Sequence, residues 1–403
     1  MILGAADLDQ LHARLLEGLT AELPAAIELR HRLHAQPRLS GDEADTAQAM
    51  VDALPEGKVE VLAGTGRWVS FGGSGPAIGL RTELDALPVV ERTGAPWSAT
   101  GNLMHACGHD VHMAALVAVC RAAVQVGLPA PLVAILQPRE EATPSGGADV
   151  AASGRLADLD AVIAAHVQPQ LLSGLHGVTA GPVNAGTDVV EIVVDGLGGH
   201  AGYPHTVRDP VLALCQVVVS LQQLVSRRAD PTVGAVLSIG QLSAGRTSNV
   251  VPDQALARGS FRFMRDVDRN DLLAAMEDIV THTALAHGCT ASLRITPSEP
   301  VLVNDSGLAA AAAGWLRRTG ALVHDGFRSF GADDFSFYCD RTRGLMIFVG
   351  TADENDPGSP GLHSDRFLPD DSLIEHVGQA LIAGYLGAVT ARAPRAEPTD
   401  SRG

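Results

Sequence analysis

His105-Ala106-Cys107-Gly108-His109-Asp110-Val111-His112 sets three imidazoles, a thiol and a carboxylate in eight consecutive positions, directly ahead of an apolar run at 115–126. That run reads as a buried helix ended by Gly127 and Pro129, and an apolar strand at 131–136 follows at once. A further apolar strand, 161–165, runs into His166. Strands alternating with helical patterns predict an α/β fold with a mixed or parallel sheet. Each chemically distinctive residue then falls just beyond a strand, where ligands gather in such sheets.

Working outward, residues 8–35 read as one or two helices, and short strands are expected within 59–69 and 77–84. The turn between them, Gly72, Gly73 and Gly75, lacks the Lys-Ser/Thr of a phosphate loop, which argues against nucleotide binding. The middle of the chain changes character. Strands at 188–194, 232–242, 254–263 and 290–296 and helices at 210–225 and 271–287 predict a small α+β domain inserted into the larger one. The expected division is 1–185 with 298–403 for the catalytic domain and 186–297 for the insert. A strand at 345–349 and a helix at 373–386 close the fold, and the tail from Ala391 reads as disordered.

The chain has 403 residues, enough for two to three domains, and 46% of them are hydrophobic. Its 29 basic and 46 acidic side chains give a formal charge of −17, so nucleic acid and anionic membrane are poor partners. Asp7, Asp9, His12, Arg14 and Glu17 interrupt the first nineteen residues, and no unbroken apolar run of about 18 residues follows. The five cysteines (107, 120, 215, 289 and 339) are odd in number and scattered, as reduced thiols are. A cytoplasmic protein is expected.

Zinc and similar borderline metals take thiolate, imidazole and carboxylate ligands, so the 105–112 block suggests a metal site. A polar turn around a buried free cysteine would read the same way. Glu140-Glu141, just after the 131–136 strand, is a costly pair to bury without a cation. One carboxylate of such a pair can bind metal while its neighbour moves a proton; two solvated loop acids are the plainer alternative. His166 and His363 are each weak signals alone. With Cys107, His109 and Glu141 they give five donors, too many for one tetrahedral ion and suited to two ions that share a bridge.

Eight ordered blocks then carry a resemblance: 81–88 (RTELDALP), 104–112, 137–141 (QPREE), 166–169 (HVQP), 198–205 (GGHAGYPH), 249–253 (NVVPD), 331–335 (GADDF) and 362–364 (LHS). In order and spacing the chain resembles the dinuclear metallo-amidohydrolases of the metallopeptidase/aminoacylase superfamily. These include bacterial N-acyl-amino-acid amidohydrolases, hippurate hydrolases and plant hydrolases of auxin conjugates. The resemblance implies a metallopeptidase-like catalytic domain whose mixed sheet is flanked by helices, with the insert as a lid and dimerisation domain.

It further implies that Cys107 bridges two divalent ions per subunit, with His109, Glu141, His166 and His363 completing the set. Zinc or manganese is favoured, with cobalt and nickel as alternatives. Glu140 would be the general base and acid. Asp85 would steady the site from behind. His200 would stabilise the oxyanion, commonly across the interface of a homodimer, and Asn249 and Arg262 would hold the substrate. Two dications less the charges of Cys107 and Glu141 leave about +2, which welcomes an anion such as hydroxide for attack on an amide carbonyl.

Two positions depart from the family pattern. Glu83 stands where this branch commonly has Asp, and Arg139 stands where a small residue is usual. With Glu140 facing the site, a neighbour in the same strand would face away and alter only the rim. Plainer readings hold elsewhere: His105 and His112 as structural residues, Asp110 as a group orienting His109, His31 and His34 as helix packing, and Asp333 and Asp334 as helix caps. The expected activity is hydrolysis of the amide in N-acyl amino acids or related small conjugates. A dipeptidase or carboxypeptidase of the same superfamily and a non-catalytic binding relative are the alternatives.

Overall fold

The computed structural model describes residues 4–73, 75–353, 356 and 358–391; the tail expected to be disordered lies outside them except for Ala391. The chain divides into two compact units, Met1–Gly181 with Val303–Phe327 and Asp334–Gly403, and Pro182–Leu302 with Arg328–Asp333. The Arg328–Asp333 segment, which the sequence reading left with the first unit, thus groups with the second.

In the first unit eight strands form one mixed sheet in the order Lys58–Leu62, Gly66–Phe71, Leu132–Gln137, Ala77–Glu83, Leu159–Leu172, Gly344–Ala352, Leu175–Gly177 and Leu322–His324. The four strands from Leu132–Gln137 to Gly344–Ala352 are parallel neighbours. Ala77–Glu83 is buried along its whole length, as a central parallel strand requires. Helices Ala5–Ala35, His109–Val126, Ser306–Arg318 and Leu373–Thr390 pack into the same hydrophobic core as these strands.

Helix His109–Val126 begins six residues ahead of the apolar run, because Gly108, at φ 83°, turns the chain in immediately before His109. Strand Leu159–Leu172 is longer than the apolar run that predicted it. Its pairing with Ala77–Glu83 stops at Arg81 and Ala164, whereas pairing with Gly344–Ala352 continues past Phe348 and His166. His166 therefore lies within a strand but beyond the end of one neighbour.

The second unit is a four-stranded antiparallel sheet in the order Ala235–Ala244, Gln254–Phe263, Gly186–Asp195 and Thr290–Pro297. Alternate residues of Gly186–Asp195, Val190, Ile192 and Val194, are buried with Leu214, Val217 and Leu221 of helix Pro210–Arg227 and Met276 and Val280 of helix Asp266–Ala286. Pro210–Arg227 is the one helix among the described residues long and apolar enough to cross a membrane by length and composition. Its apolar stripe is buried in this core, while Leu212 and Val219 face outward.

Candidate metal centre

Cys107, Gly108 and His109 lead into a buried helix, so the thiol and the first imidazole sit at its N-terminal end. Glu140 and Glu141 follow the strand that ends at Gln137, and His166 comes from the adjoining strand system. His363 arrives from the loop before the last helix in the left-handed region, at φ 66°, with its N–H donated to the Ala106 carbonyl at 2.8 Å.

The donor atoms of Cys107, His109 and His166 lie within 4.8 Å of one another, and so do those of Cys107, Glu141 and His363. The two triads share only the thiol. A third group joins His109, Glu140 and Glu141, with Glu140 Oε2 3.9 Å from His109 Nε2. Cys107, His109 and His166 are buried, Glu140 and Glu141 partly so, and the His363 side chain is 53% exposed, which places the mouth of the site on its side.

Hydrogen bonds at the back of each ring decide which nitrogen faces the cluster. His109 Nδ1 donates to the Asp85 carbonyl oxygen at 2.9 Å, which leaves Nε2 as the lone-pair nitrogen, and that atom is buried with no hydrogen-bond partner. His166 Nδ1 donates to the Val167 carbonyl at 2.7 Å, and its Nε2 lies 3.5 Å from Cys107 Sγ. Backbone carbonyls behind imidazoles in this way fix the tautomer that binds metal. Glu141 Oε1, 3.2 Å from His363 Nε2, is likewise buried without an aligned hydrogen bond. Orphaned buried acceptors converging on a thiol are the donor chemistry of a divalent ion, and the shared thiol suits two.

The local field agrees. Burial, reinforced by the Glu141 and Glu140 carboxylates, pushes the Cys107 thiol well above its ordinary value. Burial lowers His166 to about 3, so its ring is neutral. At His109 burial opposes the charged form, but Glu83, Asp85 and Glu141 outweigh it and raise the ring. Contact with Glu141 raises His363, against a smaller opposing effect of burial. Carboxylates thus crowd this pocket, a field that favours positive charge within it.

Asp85 accepts the Glu141 N–H at 2.9 Å and the Ser40 hydroxyl at 2.7 Å on one carboxylate oxygen. Asp110 does not orient His109. It takes Arg30 Nε at 2.9 Å and His34 Nδ1 at 3.1 Å, and the Asp85 carbonyl performs the orienting instead. Arg30, itself fully buried, also donates to Asp371 and to the Pro369 carbonyl, each at 2.6 Å. His31 packs, as expected, stacked on Trp97. Asp334 does not cap the short helix Ser336–Cys339 that follows it; its carboxylate takes Arg81, Gln137 and the N–H of Gly147, in the first turn of helix Gly146–Ala152. Arg139 is not in the strand, which ends at Gln137. It holds φ 55°, gives its N–H to Glu43 Oε1 at 2.9 Å and sends its guanidinium to Asp149. Ser40 and Glu43 carried no motif signal in the sequence.

On the second unit, His200 pairs with Val250 in a two-stranded ladder, and the Ala201 N–H donates to the Asn249 carbonyl at 3.1 Å, so these two expected residues are brought together. His200 is exposed, with Nδ1 accepting the Gly202 N–H at 3.0 Å. Arg262 stands apart, on strand Gln254–Phe263, donating to the Phe330 carbonyl at 2.7 Å.

The family model described as Peptidase family M20/M25/M40 matches residues 79–378. The chain is 32% identical over 356 residues to the N-acetyl-L-cysteine deacetylase of Bacillus subtilis (strain 168), covering 86% of this chain and 84% of that protein. It is 30% identical over 359 residues to the N-acetyldiaminopimelate deacetylase of Leuconostoc mesenteroides, covering 86% and 92%. Among solved structures it is similar to the Bacillus subtilis YxeP protein, described as a dinuclear metal binding peptidase from the M20 family. The TM-score is 0.79 at 29% identity, covering 92% and 99% of the two chains. These matches bear out the resemblance carried by the eight sequence blocks and the α/β architecture with its mixed sheet. The chain belongs to peptidase family M20/M25/M40 and is a hydrolase.

Proposed function

We propose that this protein is a metal-dependent amidohydrolase that cleaves the amide bond of N-acyl amino acids or related small conjugates. The observation that carries the reading is the pair of donor triads sharing the Cys107 thiol, with the Glu140 carboxylate beside them. Cys107, His109, Glu141, His166 and His363 would hold two divalent ions, zinc or manganese. Bound there, the ions would polarise the amide carbonyl and acidify water.

The chain's own groups supply the rest. Glu140 takes a proton from the attacking water at its carboxylate and returns it to the amide nitrogen as the carbon–nitrogen bond breaks. Asp85 keeps Glu141 and His109 in place through the Glu141 N–H and its own carbonyl. Because His200 Nδ1 accepts a backbone N–H, the proton of its neutral ring sits on Nε2, available to a developing oxyanion. Asn249 and Arg262 are assigned to the polar end of the substrate, its carboxylate or carbonyl.

A homodimer formed through the second unit, with Leu212 and Val219 on the outward side of its helix, belongs to the same reading. The free cysteines suit a reducing, cytoplasmic setting. The deciding experiment combines metal analysis of the purified protein with amine release from N-acyl amino acids of graded acyl length and from dipeptides. Chelation should abolish turnover and divalent ions should restore it. Cleavage of dipeptides alone would move the protein to the peptidase alternative, and a measured mass tests the dimer.

A further inference from the structure

We propose that Glu83 and His112 are positioning residues that fix the Val167 peptide and thereby hold His166 with its bare nitrogen toward Cys107. The inference rests on reading His166 as a donor to a divalent ion.

The Val167 N–H lies beyond Arg81 and Ala164, the last pair that strand Leu159–Leu172 makes with strand Ala77–Glu83. A buried N–H there needs another acceptor. The acceptor is a side chain, His112 Nε2, at 3.0 Å. That nitrogen can accept only if the ring's proton is on Nδ1, and Nδ1 faces Glu83 Oε2 at 3.0 Å. The Glu83 carboxylate is therefore the element that selects the tautomer. It is held in turn by Arg81, two residues away on the same face of the strand, whose other N–H groups bind Gln137 at 2.9 Å and Asp334 at 2.7 Å. All of these side chains are buried.

The other end of the Val167 peptide group region completes the chain of contacts, for the Val167 carbonyl takes the Nδ1 proton of His166. Glu83, His112, Val167 and His166 thus form one sequence of hydrogen bonds with a single consistent direction. His112 lies three residues after His109, so the helix presents both rings to the same strand ends. The longer side chain at position 83 is accounted for: it spans from Arg81 to His112 and does not enter the donor cluster.

Histidine side-chain nitrogen NMR of the metal-free protein, together with titration by Zn²⁺ or Mn²⁺, tests the proposal. The parent should show His112 and His166 each protonated on Nδ1. In His112→Leu the His166 resonances should shift toward a mixture of tautomers, and affinity for the weaker-bound ion should fall by about 10- to 100-fold. His112→Gln can accept from Val167 and donate to Glu83, so it should restore both readouts, to within about threefold in affinity. Where His112→Leu fails to fold, Glu83→Gln serves. Its amide cannot accept from both Arg81 and His112, so His112 should lose its single tautomer. An unchanged His166 spectrum in these variants overturns the inference. A parent that shows the stated tautomers but takes up no divalent ion refutes the proposed function instead, and leaves the positioning role standing on the spectra.

Discussion

The carboxylate of Asp85 accepts the backbone N–H of Glu141 at 2.9 Å, while the carbonyl of the same residue holds His109. One residue at the end of a buried strand therefore sets both the turn that presents the two glutamates and the ring that faces them. Glu141 groups with Cys107 and His363, and Glu140 beside it is the residue proposed for proton transfer. Glu140→Ala is expected to lose roughly 10²–10⁴ in turnover while keeping its divalent ions. Steady-state rates paired with metal analysis check this, and full activity would refute the assignment.

Gly108 separates two of the donors at φ 83°, and a Cβ built there would come within 2.6 Å of Val167 Cγ2. Gly108→Ala combines backbone strain with overpacking and should cost about 1–3 kcal/mol in denaturant unfolding. Because Cys107 and His109 flank the strained position, the variant should also retain less divalent metal.

His200 is assigned to the oxyanion and not to metal. His200→Ala should lower turnover by about 10²–10³, the usual loss for one such donor. Its divalent ion content should equal the parent's. Loss of metal in this variant would remove His200 from the role given to it.

Asp305 offers a test away from the site. Its carboxylate accepts the Leu308 N–H at 2.8 Å at the start of helix Ser306–Arg318 and lies 3.3 Å from Arg343 Nε. Burial alone would raise its pKa, but these partners outweigh it and the group sits below its ordinary value. A depressed carboxyl stabilises the fold at pH above the unfolded value, near 4, and ceases to do so as pH falls through the lower folded value. Asp305→Ala should therefore cost about 1 kcal/mol at neutral pH. The difference from the parent should narrow as the medium is acidified, as urea unfolding at several pH values will show.

Much of the centre was legible because its donors are chemically conspicuous and follow apolar runs. Cys107 and His109 stand at the N-terminal end of a helix that is apolar from Met113 to Cys120, and Glu140 and Glu141 follow a six-residue buried strand. What stayed hidden depended on partners far away in the chain. Asp110 answers to Arg30, eighty positions earlier, and Asp334 to Arg81, Gln137 and the first turn of the distant helix Gly146–Ala152, partners that local spacing does not reveal. The extent of the strand through His166 was hidden for a related reason, since pairing with Gly344–Ala352 prolongs it beyond its own hydrophobic run. Glu43, which holds the Arg139 N–H, belongs to no motif, and the left-handed backbone at Arg139 has no glycine to announce it.

Arg30 gives the opening helix a stake in chemistry that occurs far from it in sequence, because its guanidinium neutralises Asp110 just after His109 and ties down the segment that follows His363. A truncated version beginning after that arginine would leave an acidic group sealed in the interior beside an untethered loop. Tags and fusion partners should accordingly be joined ahead of the helix with its full length kept, and a proteolytic cut that releases the helix together with Arg30 should lower activity although it removes none of the candidate donors.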